Sequence, residues 1–223
     1  MTRACAEAGV ATVVNLSMRL SPTHRQLRRM FHGGDFGRPL AVGATHPKIS
    51  GLLCRGGGHK ATRDPATWGT LLLHDGVHVC EWLRFMGGEV VSAYAQTVTT
   101  GDDPENEELV SAITRHQNGV MGSLSYMTMP FLPGRQYVIG TEASAWPGRD
   151  EQGRCIVVSR DGDEERVPVE TPAMHGDAAA VDEFIRAIRE GHRPYATMED
   201  GLAGQRIVDA IRRSAREGTV VAL

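Results

Sequence analysis

Between Val90 and Glu170 the chain is a succession of short apolar runs cut by turn signals, with helical patterns on either side. Val90 to Val98 alternates as a strand does and is broken by Gly101-Asp102-Asp103-Pro104. Glu108 to Arg115 and Val120 to Thr128 flank Gln117-Asn118-Gly119. Asn-Gly between two strand patterns marks a hairpin, because tight hairpin turns need positive φ. Further strands are expected at Gln136 to Gly140, Cys155 to Ser159 and Arg166 to Glu170, with Asp161-Gly162 as another hairpin turn. Strands grouped in this way, rather than alternating with helices, define an α+β plan: a large, mostly antiparallel open sheet with helices on one face. The other face must be covered, commonly by another subunit, so a homo-oligomer through the open sheet face is expected.

The flanking segments read as follows. Residues 2 to 8 are the tail of a helix stopped by Gly9, and Val10 to Leu16 is a short buried strand. Ser21 or Thr23 caps a helix running to His32, with Leu27, Met30 and Phe31 on one side and Arg25, Arg28 and Arg29 on the other. Gly33-Gly34 stops it, and Pro39 to Thr45 is a strand. Residues 46 to 68 form a long polar loop with His46, Lys48, Arg55, His59, Lys60 and Arg63. A loop of that length inside a compact domain is commonly functional. Two helices close the chain. The first, from about Asp177 to Glu190, has Val181, Phe184, Ile185 and Ile188 as its apolar stripe. The second follows the capping-box-like Thr197-Met198-Glu199-Asp200 and carries Ala203, Ile207, Ala210, Ile211 and Ser214 on one face.

Composition removes several classes of function. A net charge of -3 gives no electrostatic footprint for nucleic acid. The apolar runs fall short of the roughly 20 residues of a membrane span, and the first residues lack a signal-peptide core. Cys5, Cys54, Cys80 and Cys155 are scattered, which suits a reducing cytoplasm better than a disulfide framework.

The chemistry concentrates in Trp68-Gly69-Thr70-Leu71-Leu72-Leu73-His74-Asp75-Gly76-Val77-His78. The pattern predicts a helix from about Thr70 to Met86, ended by Gly87-Gly88. Residues four apart share a helix face, so His74 and His78 project together with Asp75 one step round. The pair has the spacing of zinc ligands on a helix, but the Glu of H-E-x-x-H is missing, and no metal is assigned.

These residues resemble the Gfo/Idh/MocA oxidoreductases, named for glucose-fructose oxidoreductase and inositol dehydrogenase. The family's D-x-G-x-H-x-x-D followed by a leucine-rich helix and Gly is similar to His74-Asp75-Gly76-Val77-His78-Val79-Cys80-Glu81 and the run on to Gly87. Val13 to Arg19 with Ser21-Pro22 resembles the last strand of the family's nucleotide domain. Gly34-Asp35-Phe36-Gly37-Arg38-Pro39 resembles the link into its second domain. Met198-Glu199-Asp200-Gly201-Leu202 and Ser214-Ala215-Arg216-Glu217-Gly218 resemble its last helix's start and finish.

The resemblance implies residues 1–20 as a remnant helix and strand of a Rossmann domain, and 21–223 as the α+β substrate and oligomerisation domain. It implies NAD or NADP as the cofactor of the intact family and a sugar, polyol or related CH–OH compound as substrate. No Gly-x-Gly-x-x-Gly unit and no Glu-Lys-Pro segment occurs, so no cofactor-binding residue is assigned and tight cofactor binding by this chain alone is not expected. A separate nucleotide-binding chain would then complete the catalyst. By resemblance His78 is the base that takes the hydroxyl proton, a role that suits an imidazole with a pKa near 6.5. The family's Asp four residues before that His is replaced by His74, which takes substrate contact or a packing role. Asp75 is either an orienter of the imidazole or a helix N-terminal carboxylate. Trp68 walls a sugar pocket or staples the helix entry. Lys60, with His59 and Arg63, binds substrate groups or is a solvated loop charge. Arg19 is expected in a structural ion pair. A non-redox sugar-binding or oligomerising module is the alternative. The unpaired edge of Val10 to Leu16 predicts aggregation or completion by another chain.

Overall fold

The computed structural model describes residues 1–47, 72–99, 107, 109–127, 133–170, 172 and 176–223. The elements in chain order are α1 (Thr2–Ala8), α2 (Pro22–Gly33), β1 (Pro39–Pro47), α3 (Val77–Gly87), β2 (Val90–Val98), β3 (Leu109–His116), β4 (Met121–Met127), β5 (Arg135–Gly140), β6 (Ser144–Asp150), β7 (Gly153–Arg160), β8 (Asp163–Pro168), α4 (Gly176–Glu190), α5 (Met198–Glu217) and β9 (Val221–Ala222). The architecture is α+β, with a nine-stranded, mostly antiparallel open sheet and five α-helices among the described residues. The chain divides into two compact units: Met1–Pro39 with Gly140–Gly204, and Leu40–Ile139 with Gln205–Leu223.

In the second unit the strand order is β5-β1-β4-β3-β2-β9. β2, β3 and β4 form an antiparallel meander, and β1 joins it parallel to β4, from Ala41 opposite Met121 to Pro47 opposite Met127. The Asn118-Gly119 turn forms as the sequence predicts, with Gly119 at φ 87°. Period-two alternation gives the sheet two unlike faces. One carries the buried Val42, Ala44, Val110, Ala112, Leu124 and Tyr126. α3 packs against β4 and buries seven of its eleven residues, Trp82, Leu83 and Met86 completely. Each such side chain contributes about 1.5–3 kcal/mol. Close approach is possible because Gly87 has no Cβ, which would meet the His116 ring at 2.6 Å. The opposite face leaves Tyr94, Val98, Ile113 and Met121 exposed.

In the second unit's part of α5, Ile207, Val208, Ile211 and Ser214 are buried. Ser214 Oγ accepts the Ala95 N–H at 2.9 Å and donates to Thr219 O at 2.6 Å, so this buried hydroxyl is fully used.

In the first unit β6, β7 and β8 form an antiparallel meander whose second turn has Asp161 at φ 53° and Gly162 at φ 93°, the geometry of a tight hairpin. α2 starts at Pro22 behind Ser21, which makes no side-chain cap bond, and ends on left-handed Gly34. It packs on β6 and β7 with Thr23, Leu27 and Phe31 buried. Asp200 organises the start of α5. Its Oδ2 accepts the Thr197 N–H at 3.0 Å, the carboxylate half of a capping box. Its Oδ1 lies 3.2 Å from Arg19 Nη2 and its Oδ2 3.3 Å from Arg193 Nη2. Arg19 is thus the structural ion-pair residue expected of it.

Four local expectations are corrected. Val10 to Leu16 forms no strand: Val10 is 55% exposed, and the run is tied to its unit by single bonds, from Val14 N–H to Ala196 O and from Asn15 Nδ2 to Asp177 Oδ1, rather than by a ladder. A strand is made by pairing, and an apolar run without a ladder partner stays irregular. β6 was not anticipated, because Pro147 and Gly148 disguise its alternation. Most of the apolar stripe foreseen on α4 faces outward: Val181, Ile185 and Ile188 are exposed and Phe184 is half-buried, while Ala180, Glu183 and Ala187 are buried. Finally, the segment before α3 is not α-helical. Leu72–Gly76 is a π-helical turn.

Candidate active site

The π-turn sets the site's geometry. Single π-turns open the helical ladder by one residue and recur at functional sites. Gly76 permits this one, since a Cβ there would collide with the Leu72 side chain folded onto the turn. The four-residue step from His74 to His78 therefore runs from the π-turn into the first turn of α3. His74 is exposed, Asp75 is buried and His78 is half-buried in the first turn of α3. His74 Nδ1 and Asp75 Oδ1 are 3.7 Å apart, an electrostatic contact longer than a hydrogen bond.

Glu81, one turn after His78, is only 2% exposed. Arg84 approaches it at 3.5 Å and grips Glu89 with two bonds of 2.9 and 2.6 Å. This network compensates the buried carboxylate. Cys80 is fully buried, and burial pushes its thiol up to about 12, so it is a packing residue and not a nucleophile. At the far end of α3, His116 Nδ1 lies 2.7 Å from Gly88 O and its Nε2 lies 3.2 Å from Thr114 Oγ1. Desolvation lowers its pKa, the Gly88 carbonyl and Glu89 opposing. Its place is in the packing between α3 and the hairpin.

Of the residues singled out from the sequence, His74 and Asp75 are in contact, and His78 follows in the first turn of α3. Trp68 and Lys60 lie outside the described residues. Among those residues no group of three or more His, Cys, Asp and Glu side chains is arranged to hold a metal ion. Sequence reading passed over His46. Read as loop, it is on β1, which extends through Pro47, and its ring stacks on Tyr126 at 6.1 Å with planes 16° apart. The alternation Val42, Ala44, His46 was the signal.

A cleft of about 450 Å³ lies along α5, lined by Arg206, Asp209, Arg212, Arg213 and Arg216. Its cations face carboxylates: Arg212 pairs with Glu107 at 2.6 Å and Arg213 with Glu217 at 3.6 Å.

With this fold and cluster in place, comparison with known proteins gives one answer. Residues 55–223 match the model of the oxidoreductase family, C-terminal alpha/beta domain, of the Gfo/Idh/MocA type. The chain belongs to the Gfo/Idh/MocA oxidoreductase family. It is 30% identical over 216 residues to 1,5-anhydro-D-fructose reductase of Ensifer adhaerens, covering 91% of this chain and 61% of the relative. Its fold is similar to aldose-aldose oxidoreductase from Caulobacter crescentus complexed with glycerol (TM-score 0.85, 22% identity, 99% of this chain and 66% of that one). It is also similar to an oxidoreductase from Agrobacterium radiobacter in complex with NAD+, L-tartaric acid and magnesium (TM-score 0.79, 17% identity, 99% and 67%). The chain thus spans 61% of the length of the reductase it resembles. No helix among the described residues is long and apolar enough to cross a membrane.

Proposed function

We propose that this chain is the substrate-binding part of an NAD(P)-dependent oxidoreductase acting on a sugar, polyol or related CH–OH compound, with His78 as the base. The observation that carries the reading is the half-buried His78 on the helix following the π-turn, inside the segment that matches the family. A side chain in that position is shielded on one side and reachable on the other, as a proton acceptor for a bound hydroxyl must be. His74, exposed beside it, contacts substrate. Asp75, buried next to it in the turn, orients that imidazole electrostatically from 3.7 Å. Residues 21–223 are the substrate and oligomerisation domain, with 1–20 belonging to a nucleotide-binding domain. No Gly-x-Gly-x-x-Gly precedes a helix in the sequence, so the described residues do not fit a dinucleotide pyrophosphate. A dinucleotide held by a separate nucleotide-binding domain would supply the acceptor for the hydride that leaves the substrate carbon. This chain's part is proton handling and substrate orientation.

Calorimetric titration with glycerol, myo-inositol and aldoses tests the reading. Saturable binding that is weakened about tenfold in His78→Asn is expected, a loss of about 1.4 kcal/mol for a hydrogen bond to substrate. Equal binding by wild type and variant overturns it. NADH fluorescence that rises with tight affinity on adding this chain would overturn the placement of the nucleotide site elsewhere.

The exposed Tyr94, Val98, Ile113 and Met121 support self-association through the open sheet face. Sedimentation should then show a concentration-dependent dimer that Ile113→Glu converts to monomer.

A further inference from the structure

Within the first unit, the N-terminal end of α2 meets the β6–β7 hairpin at a cavity of about 400 Å³, lined by Ser21, Thr23 and His24 from the helix side and by Arg149 and Arg154 from the hairpin. The helix supplies positive potential there. Its first turn holds no acidic residue, Pro22 carries no N–H, and Ser21 makes no side-chain cap bond. The Thr23 N–H has no acceptor inside the helix, so the partial positive charge of the first turn is not answered by α2 itself. Thr23 is 4% exposed, and among the described residues its hydroxyl has no hydrogen-bond partner.

The hairpin adds two cations. Arg149 and Arg154 are directly opposite each other in the antiparallel register of β6 and β7. Like charges so placed repel. Among the described residues neither guanidinium forms an ion pair with a carboxylate. The adjacent Asp150 is committed to the turn, where its Oδ1 accepts the N–H groups of Gln152 and Gly153 at 2.8 and 3.0 Å. An anion seated between the two arginines and the helix end removes the repulsion and satisfies the hydroxyl. Guanidinium N–H groups match phosphate oxygens two at a time, and a helix N-terminus accommodates a further one. Small-molecule pockets span roughly 300–1,000 Å³, so this cavity has the size for a small ligand.

We propose that this cavity binds a single phosphate group, free or esterified to a small molecule, through Arg149, Arg154, the Thr23 hydroxyl and the first turn of α2. The site lies in the first unit and does not depend on the reading of His78, which belongs to the second. Its test is titration with inorganic phosphate and with glucose 6-phosphate at constant ionic strength, followed by nitrogen–proton correlation spectra of the arginine side chains. The Nε–Hε resonances of Arg149 and Arg154 should shift together and saturate with one dissociation constant, while that of Arg189, exposed on α4, stays in place. Arg154→Gln should weaken binding about tenfold or more, since it removes hydrogen bonds to a charged group. Arg154→Lys, which keeps the charge and loses the fork, should recover only part of that loss. Thr23→Val should weaken binding about threefold. In phosphate-free buffer Arg154→Gln should melt no lower than wild type, because it relieves a repulsion. Tighter binding of glucose 6-phosphate than of inorganic phosphate supports the proposal with an ester as occupant; equal or weaker binding supports it with free phosphate. Shifts that sodium chloride reproduces, or equal binding by wild type and Arg154→Gln, overturn it.

Discussion

Helices α3 and α4 carry similar apolar patterns and meet opposite fates. α3 buries seven of eleven residues, led by Trp82, Leu83 and Met86. α4 buries three of fifteen and leaves Val181, Ile185 and Ile188 exposed. The difference lies in what each helix offers on its inner side. α3 presents large side chains to a sheet face of complementary shape, with Gly87 permitting close approach. α4 presents Ala180 and Ala187 to the short 3-10 turn Ser17–Leu20, with Glu183 between them. Glu183 accepts the Tyr195 N–H at 3.4 Å and pairs with His192 at 3.3 Å. Small residues and one anchored carboxylate therefore outweigh a stripe of aliphatic side chains. Periodicity says that a helix has a face; it does not say which face the fold takes.

The contrast is open to direct attack. Truncating Trp82 to Ala should cost about 3–5 kcal/mol, read as a lowered midpoint in urea unfolding; a loss under 1 kcal/mol would mean that α3 is not the core helix it is drawn as. Glu183→Ala should cost about 1–3 kcal/mol, because it leaves the Tyr195 N–H without its acceptor and frees the end of α4; the same unfolding curve measures it. Between these and the smallest effect stands a pH dependence at the far end of α3. Burial holds the pKa of His116 below its ordinary 6.5. The native state therefore favours the neutral ring. Its stabilisation is complete above the ordinary value and is lost as pH falls through the lowered one. Melting temperature should accordingly drop from pH 7 to pH 5, and His116→Gln should flatten that drop. Smallest of all, Ile185→Ser on the outward stripe should change stability by no more than about 0.5 kcal/mol. A larger loss would show that the stripe is covered.

Much of the fold was legible in local chemistry. The Asn118-Gly119 and Asp161-Gly162 turns announced their hairpins because their backbone conformations admit few residue types. The Gly33-Gly34 and Gly87-Gly88 stops worked for the same reason. β6 escaped because Pro147 and Gly148 interrupt its pattern, and only pairing with β7 reveals it. Val10 to Leu16 misled in the other direction, since composition can suggest a strand while the ladder partner decides it. At the site, the order His74, Asp75, His78 was readable, but the exchange of burial between His74 and Asp75 was not. That exchange follows from the π-turn, which depends on how Leu72 folds over Gly76. His46 was missed because its partner Tyr126 is remote in the sequence and adjacent only through the parallel register.

The β1–β4 pairing has a consequence for how the chain reaches its native state. β2, β3 and β4 are joined by near neighbours in sequence and can form early, whereas β1 must find a strand 80 positions downstream, Ala41 settling opposite Met121. Closing a loop of that length is entropically costly before any contact rewards it, so β1 is a late arrival in folding. Until it docks, β4 offers a bare ladder edge to any other chain, and a nascent molecule is most exposed to misassembly at the strand that carries His46.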